Sequence, residues 1–151
     1  MSEDIDVLAA DPSAEDESDL ESTRIEAVLQ SSDWTTETIL AQLAKGNIEL
    51  SPAFQRREAW TDERKSTFIE SLILRMPVPQ LVLAERRDER GKFIVIDGKQ
   101  RLIALLRFGA EADSVVRKLV LSGLKVRADL NGHSLASLKS AVNHRDDVSG
   151  F

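Results

Sequence analysis

The sequence predicts a small mixed α/β domain. Three observations carry that expectation. Apolar side chains recur at helical spacing in several stretches, two short apolar runs of strand length flank a polar glycine-containing segment, and the second run passes straight into a helical stretch. The first helix opens near Trp34, with Thr35 as its N-cap, Glu37 at its positive end, a stripe of Ile39, Leu40 and Leu43, and Gly46 as its stop. Residues 48–60 (IELSPAFQRREAW) hold no sustained period and contain Pro52, so they read as an extended loop. A second helix starts at Thr61, carries Asp62 and Glu63 in its first turn and Phe68, Ile69, Leu72, Ile73 and Met76 on one side, and is stopped by Pro77 and Pro79.

Residues 80–85 (QLVLAE) and 92–97 (KFIVID) are the two strands. Between them RRDERG, with Gly91 free to take a positive φ, makes an antiparallel hairpin the natural connection. Leu102, Leu105 and Leu106 mark the next helix, which ends at Gly109. Residues 119–121 and 124–126 read as short apolar elements. Asn131-Gly132 reads as a turn, and Ser134 as the cap of a last helix through Leu135, Leu138 and Val142. The closing NHRDDVSGF is polar apart from its Phe, as expected of a piece of a longer protein or of a short one with an unstructured tail.

Charge divides the chain. Residues 1–33 hold eleven acids and one base, Arg24, whereas residues 34–151 hold fifteen acids and nineteen bases, so the formal net charge of −6 describes neither part. The first segment has too few large apolar side chains to offset its ordering entropy and reads as an acidic tail. Leu20, Ile25, Val28 and Leu29 could form one short helix within it. The remainder, 34–151, is the expected folded domain, mildly basic and compatible with a phosphate-bearing ligand. The chain has no cysteine and two histidines, His133 and His144, which excludes disulfides, thiolate zinc sites, a cysteine nucleophile and histidine-rich metal centres. With no apolar run of membrane-spanning length and an acidic N-terminus, a cytoplasmic, membrane-free protein is expected.

The most informative stretch is Asp97-Gly98-Lys99-Gln100-Arg101, where a strand gives way to a helix within two residues. Amide groups at a helix start are unpaired and sit at the positive end of its dipole, which suits an anion. Gly98 allows close approach to the backbone, Lys99 and Arg101 bring charge, and Gln100 can donate and accept. Asp97 suits a metal-bound phosphate, a sugar hydroxyl or a water. The same residues also fit a plain helix start with Asp97 as N-cap and solvated bases, although cations in a first turn oppose the dipole. Phe54-Gln55-Arg56-Arg57, between the apolar anchors Phe54 and Trp60, could bring a guanidinium to a phosphate or be a surface loop paired to Glu58 or Asp62. Arg86, Arg87 and Arg90 alternate with acids at the hairpin tip and read as a solvated surface. No Walker-type loop, dinucleotide fingerprint or Ser-His-Asp constellation is present.

Three segments carry a family resemblance: DWTTETILAQLAKGNIELSPAFQRREAW, KSTFIESLILRMPVPQLVLAE and VIDGKQRLIALLRF. In this order, from about Trp34 to Leu138, the chain resembles the N-terminal domain of the GmrS/DndB-like proteins, the domain of unknown function 262 family of the ParB/sulfiredoxin superfamily. The family string Ile-Asp-Gly-Gln-Gln-Arg is matched by Ile96, Asp97, Gly98, Gln100 and Arg101, with Lys99 standing where the family has its first Gln. The resemblance implies a ParB/sulfiredoxin-like fold, a small mixed sheet with flanking helices, whose strand-to-helix junction binds a nucleoside triphosphate with Mg²⁺. In several relatives such a site hydrolyses the nucleotide and controls restriction of modified or phage DNA.

On that reading the N–H groups of Gly98 and Lys99 cradle phosphate, Lys99 and Arg101 neutralise it, Asp97 holds the metal or orients a water, and Gln55, Arg56 and Gln100 join the pocket. The implied function is a sensor or regulatory NTPase-type module in antiphage defence, acting with DNA or with a nuclease or other defence protein. Relatives usually carry a nuclease module further along the chain, so cleavage by these residues themselves is not expected. The alternative is a DNA-binding or protein-interaction adaptor with a vestigial nucleotide pocket.

Overall fold

In a computed structural model of the protein, residues 31–50 and 59–151 are described. Expectations placed on residues 1–30, including the short helix at Leu20 to Leu29, and on residues 51–58 lie outside them. Helix α1 (Thr36–Ala44) is capped by the Thr35 hydroxyl, which accepts from the Thr38 N–H at 3.1 Å. It ends where Gly46 takes φ +70° and the Asn47 N–H reaches back to the Gln42 carbonyl. The chain then enters a two-residue strand, β1 (Ile48–Glu49), inside the stretch the pattern assigned to a loop.

Helix α2 (Asp62–Ile73) is capped by Thr61, whose side chain accepts from the Arg64 N–H. It stops at Ile73, before either proline. Arg75 turns the chain with φ +55°, its N–H returning to the Leu72 carbonyl and that of Met76 to the Ser71 carbonyl. Met76 is therefore exposed rather than on the buried face.

Strands β2 (Val82–Glu85) and β3 (Phe93–Asp97) form the expected antiparallel hairpin, and β1 adds to the far side of β3 in parallel. The sheet order is β1-β3-β2, so β3 is central. Leu83 pairs with Val95 but Val82 pairs with Asp97, which leaves Ile96 as an extra residue, a β-bulge, at the end of β3. Near the hairpin tip Arg86 is not simply solvated: its guanidinium bonds Asp88 and reaches Glu49 at 3.1 Å, tying the hairpin to β1.

Helix α3 (Lys99–Phe108) packs against both α1 and α2 and supplies the centre of the core with Leu102, Ala104, Leu105 and Phe108. Residues 119–121 and 124–126, expected as short apolar elements, have no regular structure, although Leu119, Leu121 and Leu124 are buried. Their backbone is satisfied partly by distant backbone, with the Leu119 N–H on the Arg107 carbonyl and the Leu121 N–H on the His133 carbonyl, and partly by side chains. The Ser122 N–H donates to the buried Ser66 Oγ (3.0 Å) and the Arg127 N–H to the buried Glu70 carboxylate (2.8 Å), two polar groups one turn apart on α2. Asn131 closes this loop by bonding both the N–H and the carbonyl of Leu124. Where α2 starts and α3 ends, Arg107 forks onto Asp62 at 2.7 Å, and this hydrogen bond holds the Asp62 carboxyl below its usual range.

After a short 3₁₀ turn (Ala128–Leu130), helix α4 (Leu135–Ser140) starts with a reciprocal Ser134–Ser137 cap. It ends at Ser140, so Val142, expected on its apolar face, is exposed. The last residues are packed rather than unstructured: Val148 is buried, and the Phe151 ring meets Phe108 edge-on at 5.3 Å. An ionic clasp holds this segment, with Arg127 donating to both Asp129 and Asp147 at 2.8 Å and His144 Nδ1 lying 3.2 Å from Asp147.

The hydrogen bond from Arg127, reinforced by His144, pulls the Asp147 carboxyl down to about 2. A carboxyl depressed on folding contributes its full stabilisation above its unfolded value near 3.8 and loses it as pH falls towards about 2. Urea midpoints measured from about pH 5 to about pH 2 should fall across that window, and Asp147→Asn should make the fall shallower. An identical slope in the variant would show that the clasp is not a source of acid sensitivity.

Candidate functional site

The bulge ends β3 with Asp97, and α3 begins two residues later. The hinge between them is Gly98, at φ +96°. That backbone conformation excludes most side chains, and a Cβ here would overlap the Leu81 side chain and come within 3.2 Å of Arg101 Nη2. Gly98 is the N-cap, and no side chain caps the helix. Asp97 therefore does not cap α3. Its carboxylate stands in the open, 70% exposed, beside the helix start. The first intrahelical bond runs from the Leu102 N–H to the Gly98 carbonyl, and the amides of Gln100 and Arg101 come before it.

Asp97 to Arg101 line one open cavity of about 470 Å³, together with Trp60 and the end of β3. That volume is in the range of small-molecule pockets, roughly 300–1,000 Å³. The expected site residues occupy different positions around it. Gly98 and Lys99 sit at the mouth of the helix start, where an anion would approach.

Arg101 turns inward. Its side chain is 10% exposed, Nη1 donates to the Pro79 carbonyl, and Nη2 lies 3.5 Å from Asp97. It braces the segment leading into β2 and lies within ion-pair range of the Asp97 carboxylate. Gln100 is also engaged. Its side-chain oxygen accepts the Trp60 N–H at 3.0 Å, across forty residues of sequence. The Trp60 carbonyl accepts from Lys65 Nζ, a buried ammonium whose pKa burial lowers, with the nearby Arg107 charge acting in the same direction. Gln55, Arg56 and Arg57 lie outside the described residues.

Sequence reasoning placed Trp60 only as a loop anchor, and Ile96 as the strand end and first residue of the family string without a role in the pocket. The structure puts both in the wall of the cavity. No local signal marks either role, because Trp60 is brought there by Gln100 and Ile96 by the bulge. Among the described residues no group of three or more His, Asp or Glu side chains is arranged to hold a metal, and Asp97 is the carboxylate that lines the cavity.

A comparison with protein-family models matches residues 37–148 to the GmrSD restriction endonuclease, N-terminal domain. The chain belongs to this family. The match reaches beyond Leu138, where the resemblance in the sequence faded, and takes in α4 and the Arg127–Asp147 clasp. In this GmrSD-family domain the strand-to-helix junction thus lies well inside the matched region, as does Trp60. Searches of curated proteins and of solved structures gave no match. Among the described residues no helix is long and apolar enough to cross a membrane.

Proposed function

We propose that this GmrSD-family N-terminal domain binds a nucleoside triphosphate with Mg²⁺ at the β3–α3 junction and uses it to sense or regulate restriction of modified or phage DNA. The observation that carries the reading is the placement of Asp97. An exposed carboxylate, held by Arg101 and not spent on capping, stands at the mouth of a helix start opened by a glycine.

A helix start with Lys99 beside it favours phosphate, and a lone carboxylate would repel one unless a cation lay between. Mg²⁺ is commonly held by one or two carboxylates together with substrate phosphates and water, so a single Asp fits such a site. When bound, the ion supplies neutralisation of phosphate charge. Lys99 adds to that neutralisation, Gly98 supplies the left-handed hinge that opens the helix start, and Arg101 acts as a positioning residue for Asp97.

Calorimetric titration of each nucleoside triphosphate with Mg²⁺ tests this. Asp97→Asn and Lys99→Ala should each weaken binding about tenfold or more, since charge-assisted contacts are worth about 1.5–3 kcal/mol. Affinity unchanged in both variants would remove the assignment. DNA binding that weakens steeply with salt and ignores nucleotide would favour the adaptor reading instead.

A further inference from the structure

Two walls of the cavity are apolar, and phosphate chemistry makes no use of them. Ile96 is 61% exposed at the bulge, a large aliphatic side chain facing the cavity and outside the core cluster. Trp60 lines the same cavity and is fixed before any ligand arrives. Both of its backbone polar groups are taken, the N–H by Gln100 and the carbonyl by Lys65. Its indole is braced by the Phe68 ring, centroids 6.1 Å apart, and by the Arg64 guanidinium at 4.7 Å. A tryptophan held in this way has already lost the freedom that binding would otherwise cost. An aromatic wall accepts any flat ring by stacking, whereas an aliphatic side chain offers contact without direction.

We propose that Trp60 and Ile96 form a slot for the nucleobase, while the helix start takes the phosphates. The inference rests on the nucleotide reading and deepens it, because it makes the base, and not only the polyphosphate, part of what the domain recognises. The apolar walls read flatness and size. Lys99 in place of the family Gln leaves Gln100 as the amide of the motif, and its oxygen is occupied with Trp60. Gln100 therefore serves the slot as a positioning residue.

The chain has two tryptophans, and Trp34 packs edge-on against Phe93 at 5.4 Å, so Trp34→Phe leaves Trp60 as the single indole reporter. In that background, each nucleoside triphosphate and inorganic tripolyphosphate are titrated with Mg²⁺, following fluorescence and heat. Nucleotides should quench Trp60 and bind about tenfold more tightly than tripolyphosphate, as one stacked base provides. Ile96→Ser, at an exposed position that a thermal melt will show to be folded, should weaken nucleotide binding several-fold and leave tripolyphosphate binding unchanged. Equal binding of both ligands without quenching overturns the slot and leaves the phosphate site standing. Nucleotide affinity unaltered by Ile96→Ser also overturns it, and absence of binding by either ligand overturns the slot together with the nucleotide reading.

Discussion

Arg101→Ala is expected to destabilise the domain by about 3 kcal/mol, measured by urea denaturation, even though it removes a cation from the first turn of a helix. The sign is the informative part. A solvated arginine at a helix start opposes the dipole, so deleting it would gain a few tenths of a kcal/mol. Arg101 is not solvated. Its buried stem lies under the junction, one guanidinium nitrogen satisfies the Pro79 carbonyl, and another faces Asp97. Truncation leaves that carbonyl without its donor and opens space beneath Gly98. Asp97 contributes little to the loss, because it is mostly exposed and keeps its hydration. Arg101→Lys should recover only part, since an ammonium can reach one of the two acceptors but cannot hold both in a planar fork. A neutral or stabilising Arg101→Ala would mean that the side chain is solvated and that Asp97 is held by something else.

Phe108→Ala is expected to cost about 3–5 kcal/mol, the range for emptying a large aromatic site in a core. The ring is 1% exposed, the largest of the fully buried side chains, and it ends α3 against Phe151. Phe151→Ala should cost less, since that ring is only partly buried. The double variant should fall short of the sum by about 0.5–1.5 kcal/mol, the share of a paired edge-to-face contact. Strict additivity in the cycle would show that the final segment is not packed on α3.

These two positions mark what a reader of the sequence could and could not see. Helices α1, α2 and α4 announce themselves through Thr35, Thr61 and Ser134, each followed three residues later by the amide it caps. The hairpin and the junction were equally open to reading, because the apolar runs and the glycines Gly91 and Gly98 are local signals. Strand β1 is not local. Two residues have no period, and they become a strand by pairing in parallel with Phe93 and Ile94 of β3, a register that the Phe93 N–H extends to the Asn47 carbonyl at 2.7 Å. The 119–126 loop deceived for a related reason: its leucines point to burial, but its backbone partners include the Arg107 carbonyl and the Ser66 hydroxyl, the latter more than fifty residues away. The end of α2 was placed too late because Arg75, a non-glycine residue, takes the left-handed turn ahead of the prolines that were read as the stop.

At the site, residue types were legible and directions were not. Asp97 and Gly98 were singled out correctly as residues of the junction, but the alternative of Asp97 as N-cap was settled only by the geometry of Gly98. Arg101 was expected to face a phosphate. Its inward turn depends on the Pro79 carbonyl, which no spacing rule connects to it.

The extra residue in β3 has one more consequence, and it concerns counting. Along a strand side chains alternate between faces, and Phe93 and Val95 both pack towards the core. On an uninterrupted ladder Asp97 would be next in that odd-numbered series and would carry its charge inward. Ile96 adds one to the count on β3 while β2 advances by a single residue, and the parity of the strand is reset just before the carboxylate. The outward Asp97 is thus set by how many residues lie between Val95 and Gly98, whereas the identity of the residue at 96 remains free to be chosen by whatever the cavity must hold.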